Sequence, residues 1–146
     1  MVLIGKINIG GVLMIALYPT QCNICGGPVK LVSNDRVYSP EYAREHPDKV
    51  YLCLRCGAYV GVHWHTHRAK GILADKHMRK ARMFCHDLFD SFWHGKRHAQ
   101  KKRQKAYAEL ARRMDIPVEE CHFGWMDVPK MRIAYHHLLA MQKEGW

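Results

Sequence analysis

The sequence has no uninterrupted apolar run long enough to cross a bilayer, which takes about 20 residues. Its longest candidate, residues 2–17, is broken by Lys6, Asn8 and three glycines. The same stretch has one early lysine but no small-x-small cleavage site ahead of Cys22, so a secretory leader is not expected and a cytosolic location is. Alternation at Ile7-Asn8-Ile9 suits a strand or hairpin there, and a start at Met14 would make residues 1–13 an upstream extension. Acidic residues are also scarce, with 13 Asp and Glu against 23 Lys and Arg, for a net charge of +10. Asparagine is rarer still: Asn8, Asn23 and Asn34 are the three, and all precede His63. The apolar depletion that marks a disordered chain is missing too, since 48% of residues are hydrophobic and 10% aromatic.

What is present begins with cysteine. Cys22-Asn-Ile-Cys25 and Cys53-Leu-Arg-Cys56 form two C-x₂-C pairs separated by 27 residues. Each pair is followed by glycine, at Gly26 and Gly57, where the chain must turn sharply and bring backbone N–H groups to the sulfurs. Two such knuckles place four thiolates around one tetrahedral ion. Zinc is the expected occupant, with a rubredoxin-like iron as the alternative. A cytosolic chain disfavours disulfides, and a thioredoxin-type dithiol stands alone at a helix start. Four protein thiolates leave no open coordination position, so this zinc is structural and not catalytic. Val29-Lys30-Leu31-Val32, Val50-Tyr51-Leu52 and Tyr59-Val60 flank the knuckles and read as ribbon strands, with a loop and one helical turn near Pro40 between them.

The second half reads as helical. From residue 73 to 93, Ala74, Met78, Ala81, Cys85, Leu88 and Phe92 recur at alternating steps of four and three, one face of a helix with Cys85 as a buried thiol. A second helix is expected over 99–114, with Tyr107, Leu110 and Met114 inward and Asp115-Ile116-Pro117 as its stop. A third is expected over 128–142, with Asp127 as N-cap, Pro129 in the first turn, and Met131, Tyr135 and Leu138 inward. The expected fold is therefore α+β: a small Cys₄ zinc ribbon over 21–67, after an apolar segment 1–20, with a basic region of about three helices over 68–146 packed on it as one domain.

The charge is concentrated. Residues 68–113 carry fourteen Lys and Arg against four Asp and Glu, while residues 1–67 carry six against four and 114–146 three against five. That field suits a polyanion or an acidic protein surface. The candidate partner-binding residues are Arg68, Lys76, Arg79, Lys80, Arg82, Lys96, Arg97, Lys101, Lys102, Arg103 and Lys105. A helix-turn-helix reading of residues 108–117 would place Glu119, Glu120 and Asp127 on the reading element, where they repel phosphate.

Enzymatic readings find little support. His63, His65 and His67 would face one side of a strand and could share a metal, as in a treble-clef nuclease. That chemistry usually also needs an Asn or second His holding the catalytic metal and its histidine in place, and with Asn8, Asn23 and Asn34 all before His63 the usual nuclease order is absent. His86, Asp90 and His122 could form a polar site, although core histidines are the expected fate of His86 and His122. The H-x-E and P-C-x-x-C signature of zinc deaminases is missing. No small-molecule substrate and no membrane partner are expected.

Several stretches together carry a resemblance. These are Cys22 to Gly26, Cys53 to His63 with Gly57-Ala58-Tyr59-Val60-Gly61-Val62 between, Gly71-Ile72-Leu73-Ala74-Asp75, Arg79-Lys80-Ala81-Arg82, and His86-Asp87-Leu88-Phe89-Asp90 with Trp93. Ala106-Tyr107, Leu110-Ala111 and Glu120-Cys121-His122-Phe123-Gly124 complete the set. Over residues 20–140 the chain resembles a family of small zinc-finger-containing proteins of unknown function encoded by phages and prophages. It departs from the family pattern at residues 65–70, where a small Gly/Pro-containing turn is the rule. The resemblance implies a four-cysteine ribbon followed by helices, acting in the bacterial host cell, and no established activity. By analogy it points to a non-enzymatic protein that binds a host protein, such as a CRISPR-Cas effector or another nucleic-acid-handling machine. Direct DNA or RNA binding is the alternative, and a metal-dependent nuclease the third.

Overall fold

The alternating apolar residues on either side of the two knuckles form strands because each knuckle reverses the chain and leaves its flanks antiparallel. The computed structural model describes residues 6–9 and 12–146. Strands β1 (Lys6–Ile9) and β2 (Val12–Ile15) pair as an antiparallel hairpin, as the alternation at Ile7-Asn8-Ile9 indicates. The remaining residues of the expected N-terminal extension, 1–5 and 10–11, lie outside the described residues.

Strands β3 (Val29–Ser33), β4 (Lys49–Cys53) and β5 (Tyr59–Gly61) form a separate antiparallel sheet with β4 central. Its register pairs Val29 with Cys53 and Tyr51 with both Leu31 and Val60. As the middle strand, β4 is buried from Val50 to Cys53, which is why its sequence is apolar without alternation. Between β3 and β4 lies one short helix, α1 (Pro40–Glu45), with Ser39 accepting the Tyr42 N–H as N-cap and Pro40 in the first turn. Isolated bridges Val62 to Ala69 and Tyr59 to Ala74 extend the ribbon well past residue 67.

The chain divides into two compact units, one ending at Lys76 and the other His77–Trp146. The second is helical: α2 (Lys76–Asp90), α3 (Ala99–Met114) and α4 (Val128–Lys143). The expected bounds of α3 match, with Asp115 in the left-handed region closing it. Asp127 accepts the Lys130 N–H at 3.0 Å and caps α4 as expected. Helix α2 is shorter than its apolar periodicity indicates, ending at Asp90.

The helical core is built on Phe89, Leu110, Phe123, Met131, Leu138 and Met141, all buried. Phe89 stacks on Tyr107 at 4.2 Å between ring centres and meets Phe123 edge-on at 5.9 Å. Cys85 is buried as expected, whereas Ala81, Leu88, Met114 and Tyr135 are only partly so. After α3 the chain makes a single turn of 3₁₀ helix at Val118–Glu120, too short to act as a recognition helix.

Candidate metal centre and basic surface

Cys22 and Cys25 sit on the turn before β3, and Cys53 and Cys56 on the turn that leaves β4. The register pair Val29 to Cys53 brings the two turns to one end of the sheet. Gly26 and Gly57 adopt φ of +76° and +81°, the left-handed turn that the spacing demanded. Gly27 has a different role: an added Cβ would lie 2.7 Å from Arg55 Cβ and 3.1 and 3.2 Å from the Cys53 and Cys25 sulfurs. Only glycine lets the backbone come this near the thiolates.

The four Sγ atoms all lie within 4.8 Å of one another, with Cys25 to Cys53 at 3.5 Å and Cys22 to Cys56 at 3.8 Å. Thiolates about 2.3 Å from a tetrahedral zinc are about 3.8 Å apart, so the cluster has the size zinc requires. Backbone N–H groups donate to the sulfurs as they do in zinc knuckles: Ile24 to Cys22, Gly27 to Cys25, and Arg55 and Cys56 to Cys53. Burial pushes the Cys53 thiol up, but the N–H groups of Cys56 and Arg55 and the neighbouring thiols outweigh it, leaving a pKa of about 6. For Cys56 the Ala58 N–H lowers the pKa, yet burial and crowding by Cys25, Cys53 and Cys22 carry it up to about 12. Four thiols packed this closely cannot all ionise alone, and a dication supplies the missing charge. The set fits a single structural Zn²⁺.

One residue of the first knuckle has a role that spacing does not reveal. Asn23 donates from Nδ2 to the Leu73 carbonyl at 2.9 Å and accepts the Leu73 N–H on Oδ1 at 2.8 Å. Its amide imitates a strand partner and ties residues 69–74 to the metal turn. A polar residue inside a C-x₂-C pair is the only sequence signal of this, and a weak one.

The histidine segment is not a strand. Thr66 donates to the His63 carbonyl through both its N–H and its hydroxyl, and His65 has φ of +56°, so residues 63–66 turn. Side-chain alternation is lost. Among the described residues, the four cysteines form the one group of three or more His, Cys, Asp or Glu side chains close enough to share an ion. His63, His65 and His67 do not converge, nor do His86, Asp90 and His122. His86 and His122 are exposed rather than core, lying edge-on against Phe123 and Tyr107.

The expected basic residues divide by unit and by role. Arg68 is exposed in the ribbon unit, and Lys76 and Lys80 are exposed on α2. Arg79 is half-buried. Arg82 turns inward, donating to the Gly124 carbonyl at 3.0 Å, and burial together with Arg79 lowers its pKa to about 10. It is a structural cation. Arg103 is half-buried, with its guanidinium 4.9 Å from the Tyr107 ring centre and 5.5 Å from that of Trp93. Lys96, Arg97, Lys101, Lys102 and Lys105 are exposed. Arg112 and Arg113, outside the expected set, pair with Glu109, and Arg113 also holds Glu144 at 2.6 Å. Hydrogen bonds from Arg112 and Arg113 bring the Glu109 carboxyl down to about 2.

No described helix is long and apolar enough to cross a membrane. A sequence profile of a zinc-finger-containing domain matches residues 18–141. No curated protein and no solved structure matches the chain.

Proposed function

The chain belongs to the zinc-finger-containing domain family, whose function is unknown, and from that premise we propose a non-enzymatic, cytoplasmic binding protein of phage type. Zinc holds the ribbon, and the helical unit engages a host protein that itself handles nucleic acid, with a CRISPR-Cas effector as the example that the phage resemblance supplies. The observation that carries this reading is a mixed apolar and basic face on the helical unit. Phe84 is 51% exposed and lines, with Ala81, Met131 and Tyr135, a groove of about 340 Å³ that Arg132 and His136 also border. An open aromatic beside a guanidinium suits an acidic protein surface with an apolar centre. No residue is assigned a catalytic role.

Affinity capture from host lysate, with and without nuclease, tests the proposal. Wild-type protein is expected to retain a host protein after nuclease treatment, and Phe84→Ala to lose it while keeping its zinc. Identical capture by both forms, or loss of every partner on nuclease treatment, contradicts it.

A second reading, direct binding of DNA or RNA, is favoured by the exposed cations Lys96, Arg97, Lys101, Lys102 and Lys105. Binding that falls linearly with log salt on unrelated DNA and RNA supports it, and no binding at low salt excludes it.

A further inference from the structure

At one end of the helical unit lies a pocket of about 360 Å³ whose walls include Phe92, Lys96, Lys102, Lys105, Glu144 and Trp146. That volume falls in the range of small-ligand sites. Three lysines line it, and among the described residues none of the three forms an ion pair. The side-chain carboxylate in the wall, Glu144, is already engaged: both its oxygens accept from Arg113, at 2.6 and 2.9 Å, and it also bonds the Trp146 side chain. The lysines therefore border a common space whose carboxylate, Glu144, is already shared with Arg113. An anion entering this space meets three positive charges at once.

The pocket also has aromatic walls. Phe92 is 4% exposed and belongs to the helical core, so it forms a fixed apolar wall. Trp146 is half-buried, packs on the same core, and its backbone N–H donates to the Met141 carbonyl at 3.2 Å. Lys105 Nζ lies 5.8 Å from the centre of the Trp146 ring. A cation beside a partly open indole combines a phosphate contact and a stacking surface within one ligand's reach.

We propose that this pocket binds a nucleotide, with Lys96, Lys102 and Lys105 on its phosphate and Trp146 against its base. The proposal deepens and rests on the direct nucleic-acid reading, and assigns one nucleotide of the strand to this pocket. Lysine ammonium groups are suited to phosphate as mobile point charges, and an indole stacks on any base without selecting its sequence. The same chemistry is offered by a free nucleotide and by the end of a 5′-phosphorylated single strand.

Three ligands separate the possibilities in titrations of the full-length, zinc-loaded protein: adenosine 5′-monophosphate, a 5′-phosphorylated oligothymidylate, and inorganic phosphate. The double variant Lys102→Gln/Lys105→Gln is expected to weaken the nucleotide ligands by about tenfold or more, as loss of charge-assisted bonds does. Trp146→Ala is expected to weaken the two nucleotide ligands but leave phosphate unchanged. Lys30→Gln, at an exposed position of β3 and outside the pocket, serves as the control and is expected to change neither. All these side chains are partly or fully exposed, and retained helicity by circular dichroism confirms folding. Tighter binding of the oligonucleotide than of the monophosphate identifies a strand as the source, and the reverse identifies a free nucleotide.

An oligonucleotide that binds equally well to the double variant and to Lys30→Gln overturns the pocket while leaving the direct nucleic-acid reading intact. Absence of binding by any ligand at low salt overturns both. Phosphate binding as tight as nucleotide binding, with Trp146→Ala silent, overturns the base contact.

Discussion

In the ribbon unit the side chains that converge most closely are Cys22, Cys25, Cys53 and Cys56, whereas in the helical unit they are Phe89, Tyr107, Leu110, Phe123 and Leu138. One unit is closed by an ion and the other by apolar packing. The ribbon strands are three to five residues long, too short to be stable on pairing alone, so the metal supplies what burial does not. The helical unit has three helices of fifteen or sixteen residues around a shared aromatic and aliphatic core, and needs no metal to stay closed. The lesson concerns function: the metal site has no position left for chemistry, while the helical unit carries exposed cations that its own fold does not require.

The comparison can be broken from either side. Cys53→Ser is expected to have the largest effect, abolishing the zinc that metal analysis should find at about one per chain and with it on the order of 10 kcal/mol of ordering energy. The ribbon should unfold while most of the helical circular dichroism persists. Phe89→Ala acts on the other unit. It should cost about 3–5 kcal/mol by leaving a cavity among Tyr107 and Phe123, and denaturant titration should show the helical transition shifted with zinc content unchanged. Gly27→Ala sharpens the account of the knuckle: its new Cβ would press on Arg55 and two sulfurs and disturb the N–H bond to Cys25. A loss of about 10- to 100-fold in zinc affinity is expected in competition with a chromogenic chelator.

Acid should give the smallest and most selective effect. Glu109 is held below its ordinary pKa of 4.5, at about 2, so its contribution is full above pH 4.5 and is lost as the pH falls toward 2. Zinc is displaced by protons on its thiolates, a different titration on a different unit. Following zinc release and helicity on one acid titration should show two separate midpoints, with helicity lost at the lower pH. Arg113→Ala removes a partner of both Glu109 and Glu144 and should move only the helical midpoint, toward higher pH.

Much of this arrangement could be read from the residues. The paired C-x₂-C spacing, with glycine after each, sets the metal centre because thiolate geometry leaves few alternatives. Helix α3 and the Asp127 cap followed from local chemistry: a stop at Asp115-Ile116-Pro117, and a carboxylate placed to accept the first free N–H groups. What escaped was set by tertiary context. Phe89 lies one position off the four-and-three periodicity of α2, yet is more buried than Ala81 or Leu88 because Tyr107 and Phe123 approach that side. Arg82 shares its residue type with the exposed cations around it, and its bond to the Gly124 carbonyl, 42 residues on, helps turn it inward. His63, His65 and His67 alternate as a strand would, but Thr66 closes a turn through two bonds to one carbonyl. Pairing of Asn23 with Leu73, fifty residues away, leaves only the weak trace of a polar residue inside the knuckle.

Hydrogen–deuterium exchange on the zinc-loaded protein, repeated after chelation, tests the division of labour most directly. Amides of β3, β4 and β5 should lose protection when the metal is removed, while those of α3 and α4 keep it. Loss of protection across α3 and α4 on chelation, or an unchanged ribbon without metal, would contradict the account.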